Sequence, residues 1–156
     1  MEKKPKFVCD VMLGRLAKWL RMLGYDTLYR NDYDDYELLK IAIQTERTLL
    51  TRDTKLYEIS GSKRAFFISS EIIEDQLREM FEIWDLDRKP KLQICPVCNE
   101  IIVAVEKKSS VRGKVPKYTY KTHDDFYICQ NCGKVYWHGS HSKLADNFLM
   151  ELDENQ

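Results

Sequence analysis

Two Cys-x-x-Cys pairs, Cys95-Pro96-Val97-Cys98 and Cys129-Gln130-Asn131-Cys132, constrain this chain more than any other feature. Each such turn presents two thiolates to one tetrahedral ion while backbone amides support the sulfurs, so together they specify a four-sulfur zinc site. Of the five cysteines only Cys9 stands outside the pairs, and an odd count with paired spacing favours metal over disulfides. No thioredoxin-like context surrounds either pair, which argues against a redox role. An ion held by Cys95, Cys98, Cys129 and Cys132 has no open position for substrate, so the zinc is expected to be structural.

The pairs lie 30 residues apart, a long separation for a zinc ribbon. The insert should therefore contain strands, near 101–105 and 126–128, joined by an exposed loop. That loop is basic: Lys107, Lys108, Arg112, Lys114, Lys117 and Lys121 occur there with no acid between them, and Tyr118 and Tyr120 are interleaved. Phosphate contacts plus base stacking would suit single-stranded RNA. A solvated basic loop is the plainer alternative. Overall charge does not decide, since 25 basic residues balance 25 acidic ones, but residues 91–139 carry 8 Lys/Arg against 4 Asp/Glu.

Upstream the pattern is strand, acid, helix. Lys6 to Cys9 is a short apolar run ending at Asp10, which suits a buried strand. From Val11 the residues Leu13, Leu16, Ala17, Leu20 and Leu23 recur at helical spacing, with Arg15, Lys18 and Arg21 on the other side and Gly24 as the stop. A second strand is expected over 25–29, a helix from Asp34 to about Thr45, a third strand over 48–51, a short helix to Ser60, a fourth strand over 65–68 and a helix over 72–84. Strands and helices alternating at these lengths imply a mostly parallel sheet covered on both faces. Ligand chemistry in such sheets sits beyond the carboxyl ends of the strands.

Asp10 and Asp53 fall at two such ends, and Asp35 opens the helix between them. Carboxylates placed together repel one another and call for a hard cation; magnesium or manganese suits them and leaves room for water and a phosphate. Any one of the three is equally readable as a cap or turn residue. Asp34 and Glu37 flank Asp35 and would exchange roles with it on a register shift of one. Cys9, among apolar neighbours, reads as a small buried side chain.

The polar stretch 85–91, with Pro90, divides the chain into 1–90 and 91–156. The expected fold class is α/β: a three-layer domain with a mostly parallel sheet, then a small β zinc ribbon and a C-terminal helix over about 142–152, with Leu144, Phe148 and Leu149 packing on a lobe or a partner. No apolar run approaches the roughly 18 residues that span a bilayer. The opening Met-Glu-Lys-Lys-Pro-Lys leads into an amphipathic segment rather than a signal-peptide core. A cytoplasmic protein without membrane contact is expected.

The stretch from Phe7 to Asp26, containing Cys9-Asp10-Val11-Met12-Leu13-Gly14-Arg15-Leu16-Ala17-Lys18-Trp19-Leu20, closely resembles the opening of the mut-seven carboxy-terminal RNase family, a branch of the PIN-like nucleases. Asp35-x-x-Leu38-Leu39-x-x-Ala42 resembles its second-acid helix, and Leu49-Leu50-Thr51-Arg52-Asp53 its third-acid strand. The two CxxC pairs, the second continued by Gly133-Lys134-Val135-Tyr136-Trp137, resemble its ribbon. The match runs from residue 7 to about 141.

The resemblance implies a PIN-like domain with Asp10, Asp35 and Asp53 in the catalytic acidic positions, and a ribonuclease hydrolysing phosphodiesters with magnesium or manganese. PIN nucleases frequently carry a fourth acid just after the third. Here Thr54 and Lys55 follow Asp53 instead, which leaves the number of metals open. Arg15, near the first acid, is a candidate phosphate contact. The likeness extends through Trp137-x-Gly139-Ser140-His141, so His141 is expected to face substrate or to knit the ribbon to the first domain. RNA is the expected partner, with a ribonucleoprotein or a homodimer also compatible. The alternatives are a non-catalytic RNA- or ribonucleoprotein-binding module and a toxin-type PIN nuclease.

Overall fold

Phe7, Val8 and Cys9 alternate between two faces, and all three are fully buried because both faces are covered. They form β1 (Phe7–Cys9), the centre of a four-stranded parallel sheet in a computed structural model that describes residues 3–154, apart from the side chain of Ser140. The sheet is completed by β2 (Thr27–Leu28), β3 (Thr48–Thr51) and β4 (Ala65–Phe67), in the order β2-β1-β3-β4. Between them run α1 (Gly14–Met22), α2 (Asp35–Gln44) and α3 (Thr54–Ser60), and α4 (Ile73–Ile83) follows β4.

Phe7, Cys9 and Leu50 face a core built with α1 and α4, whereas Val8 and Leu49 face one built with α2 and α3. The result is three layers. After β1 the chain crosses to β2 over one face and returns to β3 over the other, so the switch in strand order falls between β1 and β3. In open parallel sheets the crevice forms at that point, beyond the carboxyl ends.

Helix α1 does not start at Val11: residues Val11–Leu13 form one 3-10 turn, and the α-helix begins at Gly14. A Cβ at position 14 would come within 2.9 Å of the Tyr29 ring, whose hydroxyl donates to the Val11 carbonyl at 3.0 Å. The helix ends at Gly24, φ +93°, where the Tyr25 N–H reaches Leu20 O and the Gly24 N–H reaches Arg21 O.

The second half holds an antiparallel sheet of β5 (Ile102–Ala104), β6 (Tyr127–Cys129) and β7 (Val135–Tyr136). The insert between β5 and β6 is not the simple exposed loop expected. It folds into a 3-10 turn (Lys108–Val111) and α5 (Lys117–Thr122), and Val111, Val115 and Phe126 form a small core with Trp137 against it. The last helix, α6 (Ser140–Glu154), returns to the first half: Phe148 stacks on Trp19 with centroids 4.7 Å apart, Leu149 and Leu152 enter the core of α1 and α4, and Asp153 pairs with Arg88. Leu144, expected to pack, is 65% exposed. Among the described residues no helix is long and apolar enough to cross a membrane.

Arg21 departs most from its expected place. It is buried rather than solvated, with its Nε donating to Thr27 O at 2.8 Å and Nη1 to the Pro96 and Val97 carbonyls of the first CxxC turn at 2.9 and 3.3 Å. Burial lowers its pKa from the ordinary value, but guanidinium stays charged in proteins and the three carbonyls solvate it. Beside it Asn99, at φ +67°, accepts from the Thr27 N–H at 2.8 Å and donates to Asp26 Oδ1 at 2.6 Å. Asp26 in turn receives both Nη atoms of Arg47, at 2.8 and 3.0 Å.

Burial pushes the Asp26 carboxyl up, but the hydrogen bonds from Arg47 and Asn99 outweigh it and hold the group below its usual range. A carboxyl lowered in the folded state adds stability above its unfolded pKa, and loses it as pH falls through the folded value. Asp26→Asn should therefore cost about 1 kcal/mol at neutral pH, Asp26 being partly exposed. The gap in melting temperature from the parent protein should close as the pH falls below about 4. A gap that stays constant from neutrality into that range would count against the ion pair.

Candidate functional site

Asp10 follows β1 at its carboxyl end and is 97% buried, with 3% of its surface exposed. Its carboxylate is held on three sides. Oδ1 accepts the Met12 N–H at 2.8 Å, capping the 3-10 turn, and Oδ2 accepts the Thr51 hydroxyl at 2.6 Å and the Arg52 N–H at 2.9 Å. The backbone N–H of Asp10 donates to Leu50 O at 3.0 Å, continuing the β1–β3 pairing.

Asp53 follows β3 at the same edge and is the N-cap of α3, its Oδ1 accepting from the Leu56 N–H at 3.0 Å. The Thr51 hydroxyl that donates to Asp10 also accepts the Asp53 N–H at 2.9 Å. One hydroxyl thus joins the two acids, a role for Thr51 that no local feature of the sequence signals. Arg52, between them, turns away: Nη1 donates to Ile68 O at 3.0 Å and Nη2 lies 3.5 Å from Glu71.

Asp35 is exposed in the first turn of α2, a helix that begins beyond the end of β2 and so shares this edge. Its neighbours are engaged elsewhere. Asp34 Oδ1 accepts the Glu37 N–H at 2.7 Å and Glu37 Oε2 accepts the Asp34 N–H at 3.1 Å, a reciprocal capping box.

The three acids share the carboxyl edge without closing on one point. Among the described residues only the four cysteines form a group of potential metal ligands whose donor atoms all lie within 4.8 Å of one another. Magnesium and manganese keep several waters and take one or two carboxylates, so any such ion at this edge would be bridged to some of the acids by water.

Cys95, Cys98, Cys129 and Cys132 do close. Cys95 and Cys132 sulfurs are 3.8 Å apart, those of Cys98 and Cys129 3.3 Å, against edges of about 3.8 Å for a tetrahedron with Zn–S bonds near 2.3 Å. The donor set and spacing fit zinc. Burial opposes ionisation of Cys98, yet the Glu100 N–H and the Asn131 side chain draw its thiol down to about 6. Burial pushes the facing Cys129 up to about 11.

Tyr136 lies 3.0 Å from the Cys95 sulfur. Burial and that contact raise its pKa, so the phenol keeps its proton and donates. Cys9 is wholly buried, and burial followed by the charge of Asp10 drives its pKa up, leaving an inert thiol.

The zinc turn and the acids occupy opposite edges of the sheet. Arg47, which anchors the joint through Asp26, also donates to Phe7 O at the start of β1, while Asp10 lies past the other end. A strand of this length spans roughly 10 Å, so an ion held by the four cysteines would lie too far away to contact the acids. A cavity of about 650 Å³ also lies on the side of the four cysteines, between Lys3–Lys6 and the segment Gln93–Ile102.

Arg15 is exposed on the first turn of α1. Lys107, Arg112, Lys114, Lys117 and Lys121 are exposed on the insert. Lys108 is half-buried, 3.3 Å from Asp124 and over the Tyr120 ring at 4.8 Å. The two tyrosines differ: Tyr120 packs on Phe126, whereas Tyr118 is 78% exposed. Arg112, Lys117, Tyr120 and Lys121 line a pocket of about 300 Å³. His141 is exposed at the start of α6. His123, which the sequence did not single out, makes the closer contact, its Nε2 lying 3.0 Å from the His138 carbonyl.

A parallel α/β sheet with acids at its switch point and an appended four-cysteine ribbon defines a class, and a family model resolves it. The Mut7-C RNAse domain model matches residues 5–149, and the chain belongs to that family. No curated protein and no solved structure matches it. The family is named for ribonuclease activity, which marks the chain as nuclease-like.

Two substitutions test the geometry. Tyr136→Phe removes a donor to a zinc ligand and should weaken zinc affinity by about 10- to 100-fold in a chelator competition, the range found for such outer contacts. Unchanged affinity would mean that the phenol does not support Cys95. Thr51→Val keeps the shape but strips Asp10 and Asp53 of their shared hydroxyl. It should cost about 1–3 kcal/mol in denaturant unfolding, the penalty for buried polar groups left unpaired.

Proposed function

We propose that this protein is a metal-dependent ribonuclease whose reacting centre lies at the carboxyl edge of the parallel sheet, among Asp10, Asp35 and Asp53. The observation that carries the reading is the position of Asp10 and Asp53 at the ends of two adjacent strands, joined through Thr51, in a member of an RNase family. Magnesium or manganese bound there supplies a water acidic enough to attack a phosphodiester and a charge to offset the leaving oxygen.

The residues divide the work. Asp10 has one donor on Oδ1 and two on Oδ2, so a lone pair of Oδ1 is left for the ion, and its orientation is fixed in advance. Asp53 spends Oδ1 on the α3 cap, which leaves Oδ2 to face the site. Asp35 is exempt from the capping box beside it, so its carboxylate serves the ion directly or through water. Arg15 and the lysines of the insert contact phosphates, with Tyr118 as a stacking surface, and the ribbon keeps structural zinc.

The spread of the three carboxylates beyond 4.8 Å, with two of them acting as caps, favours a second reading: an RNA-binding module without turnover. Labelled RNA incubated with manganese, magnesium or EDTA separates the two. The nuclease reading expects metal-dependent cleavage that Asp53→Asn abolishes while RNA affinity and melting temperature persist, since asparagine also caps helices. Binding without cutting by either protein would give the module the lead.

A further inference from the structure

Among the charged side chains around the acids, several large apolar ones are also exposed to solvent. Met12, two residues beyond Asp10, is 61% exposed, Val11 is 43% exposed, and Tyr36, next to Asp35, is 77% exposed. The inward face of α2 is supplied by Leu38 and Ala42, which leaves Tyr36 pointing outward from the first turn. Ile43, Ile59 and Ile83 are also exposed, but they sit at the C-terminal ends of their helices, at the opposite edge of the sheet. Of the two strongly exposed aromatic side chains, Tyr118 lies on the insert and Tyr36 beside the acids. Large exposed apolar side chains gathered at one place mark a contact surface.

We propose that Tyr36, on the edge that also exposes Met12, stacks on a nucleobase next to the scissile phosphate and so makes this edge select unpaired RNA. The inference rests on the nuclease reading for what the acids do. Tyr36 and Asp35 are consecutive, with Cα atoms about 3.8 Å apart, so a phosphate held through Asp35 brings its own nucleoside to the ring. In a duplex both faces of a base are covered by its neighbours, and the ring has nothing to stack on. Every unpaired base offers a π face, so selection acts on pairing more than on sequence.

Asp34, Asp35 and Glu37 lie in the same helical turn as Tyr36, and their charge repels phosphate unless a divalent cation intervenes. The contribution of Tyr36 should accordingly appear with magnesium or manganese and vanish in EDTA. A protein ligand for the patch would show neither this dependence nor a preference for unpaired strands.

The test uses the full chain with its acids intact, a cleavage-resistant single-stranded phosphorothioate oligonucleotide carrying one 2-aminopurine at successive positions, and its duplex. Tyr36→Ala should weaken single-strand binding about tenfold with manganese present, remove the 2-aminopurine quenching and leave duplex binding and melting temperature unchanged. Tyr36→Phe should retain both. In the cutting enzyme Tyr36→Ala should raise KM with little change in kcat. Equal affinity of Tyr36→Ala and parent, or equal losses on both strands, would overturn the inference. So would self-association that Tyr36→Ala dissolves, since the patch would then cover a second copy. If the parent cuts RNA and Tyr36→Ala behaves identically, this inference alone fails; if the parent neither binds nor cuts RNA, the nuclease reading fails and takes it along.

Discussion

The carboxylate of Asp10 is nearly inaccessible to water, and a buried carboxylate persists only where hydrogen bonds replace its hydration. Here the replacements come from three places: the 3-10 turn ahead of α1, the Thr51 hydroxyl ending β3, and the Arg52 N–H beyond it. The same three bonds lock β1 to β3 at their carboxyl ends and set where α1 begins. Thr51 passes the constraint on to Asp53, which starts α3. The carboxyl edge is thus a connected polar network inside two apolar layers, and it fixes the geometry of the acids whatever they bind.

The amino edge is held by a second network of different origin. Arg21 and Asn99 join the first CxxC turn to the sheet through backbone carbonyls and the Asp26–Arg47 pair. Arg21 lies on α1, the helix that starts beside Asp10, so the turn that holds two of the four cysteines also secures the far end of that helix. Helix α6 adds a third tie by stacking Phe148 on Trp19 of α1. Three separate parts of the chain converge on α1, which makes the ribbon a support for the α/β layer rather than a loosely appended module.

Most of this architecture could be read in the sequence because its signals are local. Apolar periodicity marked the four parallel strands and the helices between them to within a few residues, and the two CxxC pairs marked a site that the folded sulfurs bring within 4.8 Å. What escaped was long-range. Arg21 was grouped with Arg15 and Lys18, although it lies four residues after Ala17 and therefore beside the buried stripe. The partners that make its burial tolerable stand 75 residues away, in a turn no periodicity connects to it. Asn99 carried a local hint, since asparagine adopts positive φ more readily than most residues, but its bonds to Asp26 and Thr27 depend on the docking. In the insert, Val111 and Val115 are apolar among basic residues and, with Phe126, build the small core that replaces the expected open loop. The spacing of the three acids had no sequence signal, because it depends on loop geometry beyond the strand ends.

The central claim is that Asp10, Asp35 and Asp53 together hold a divalent cation that bears the phosphodiester. The most direct measurement is anomalous diffraction from crystals of the Asp53→Asn and parent proteins soaked with manganese and a short RNA, recorded at wavelengths that separate manganese from zinc. The account predicts a manganese peak at the carboxyl edge within bonding distance of Asp10 Oδ1 in the parent, weakened in the variant, and a zinc peak among the four cysteines in both. Manganese bound elsewhere, in a protein that cuts RNA, would contradict it.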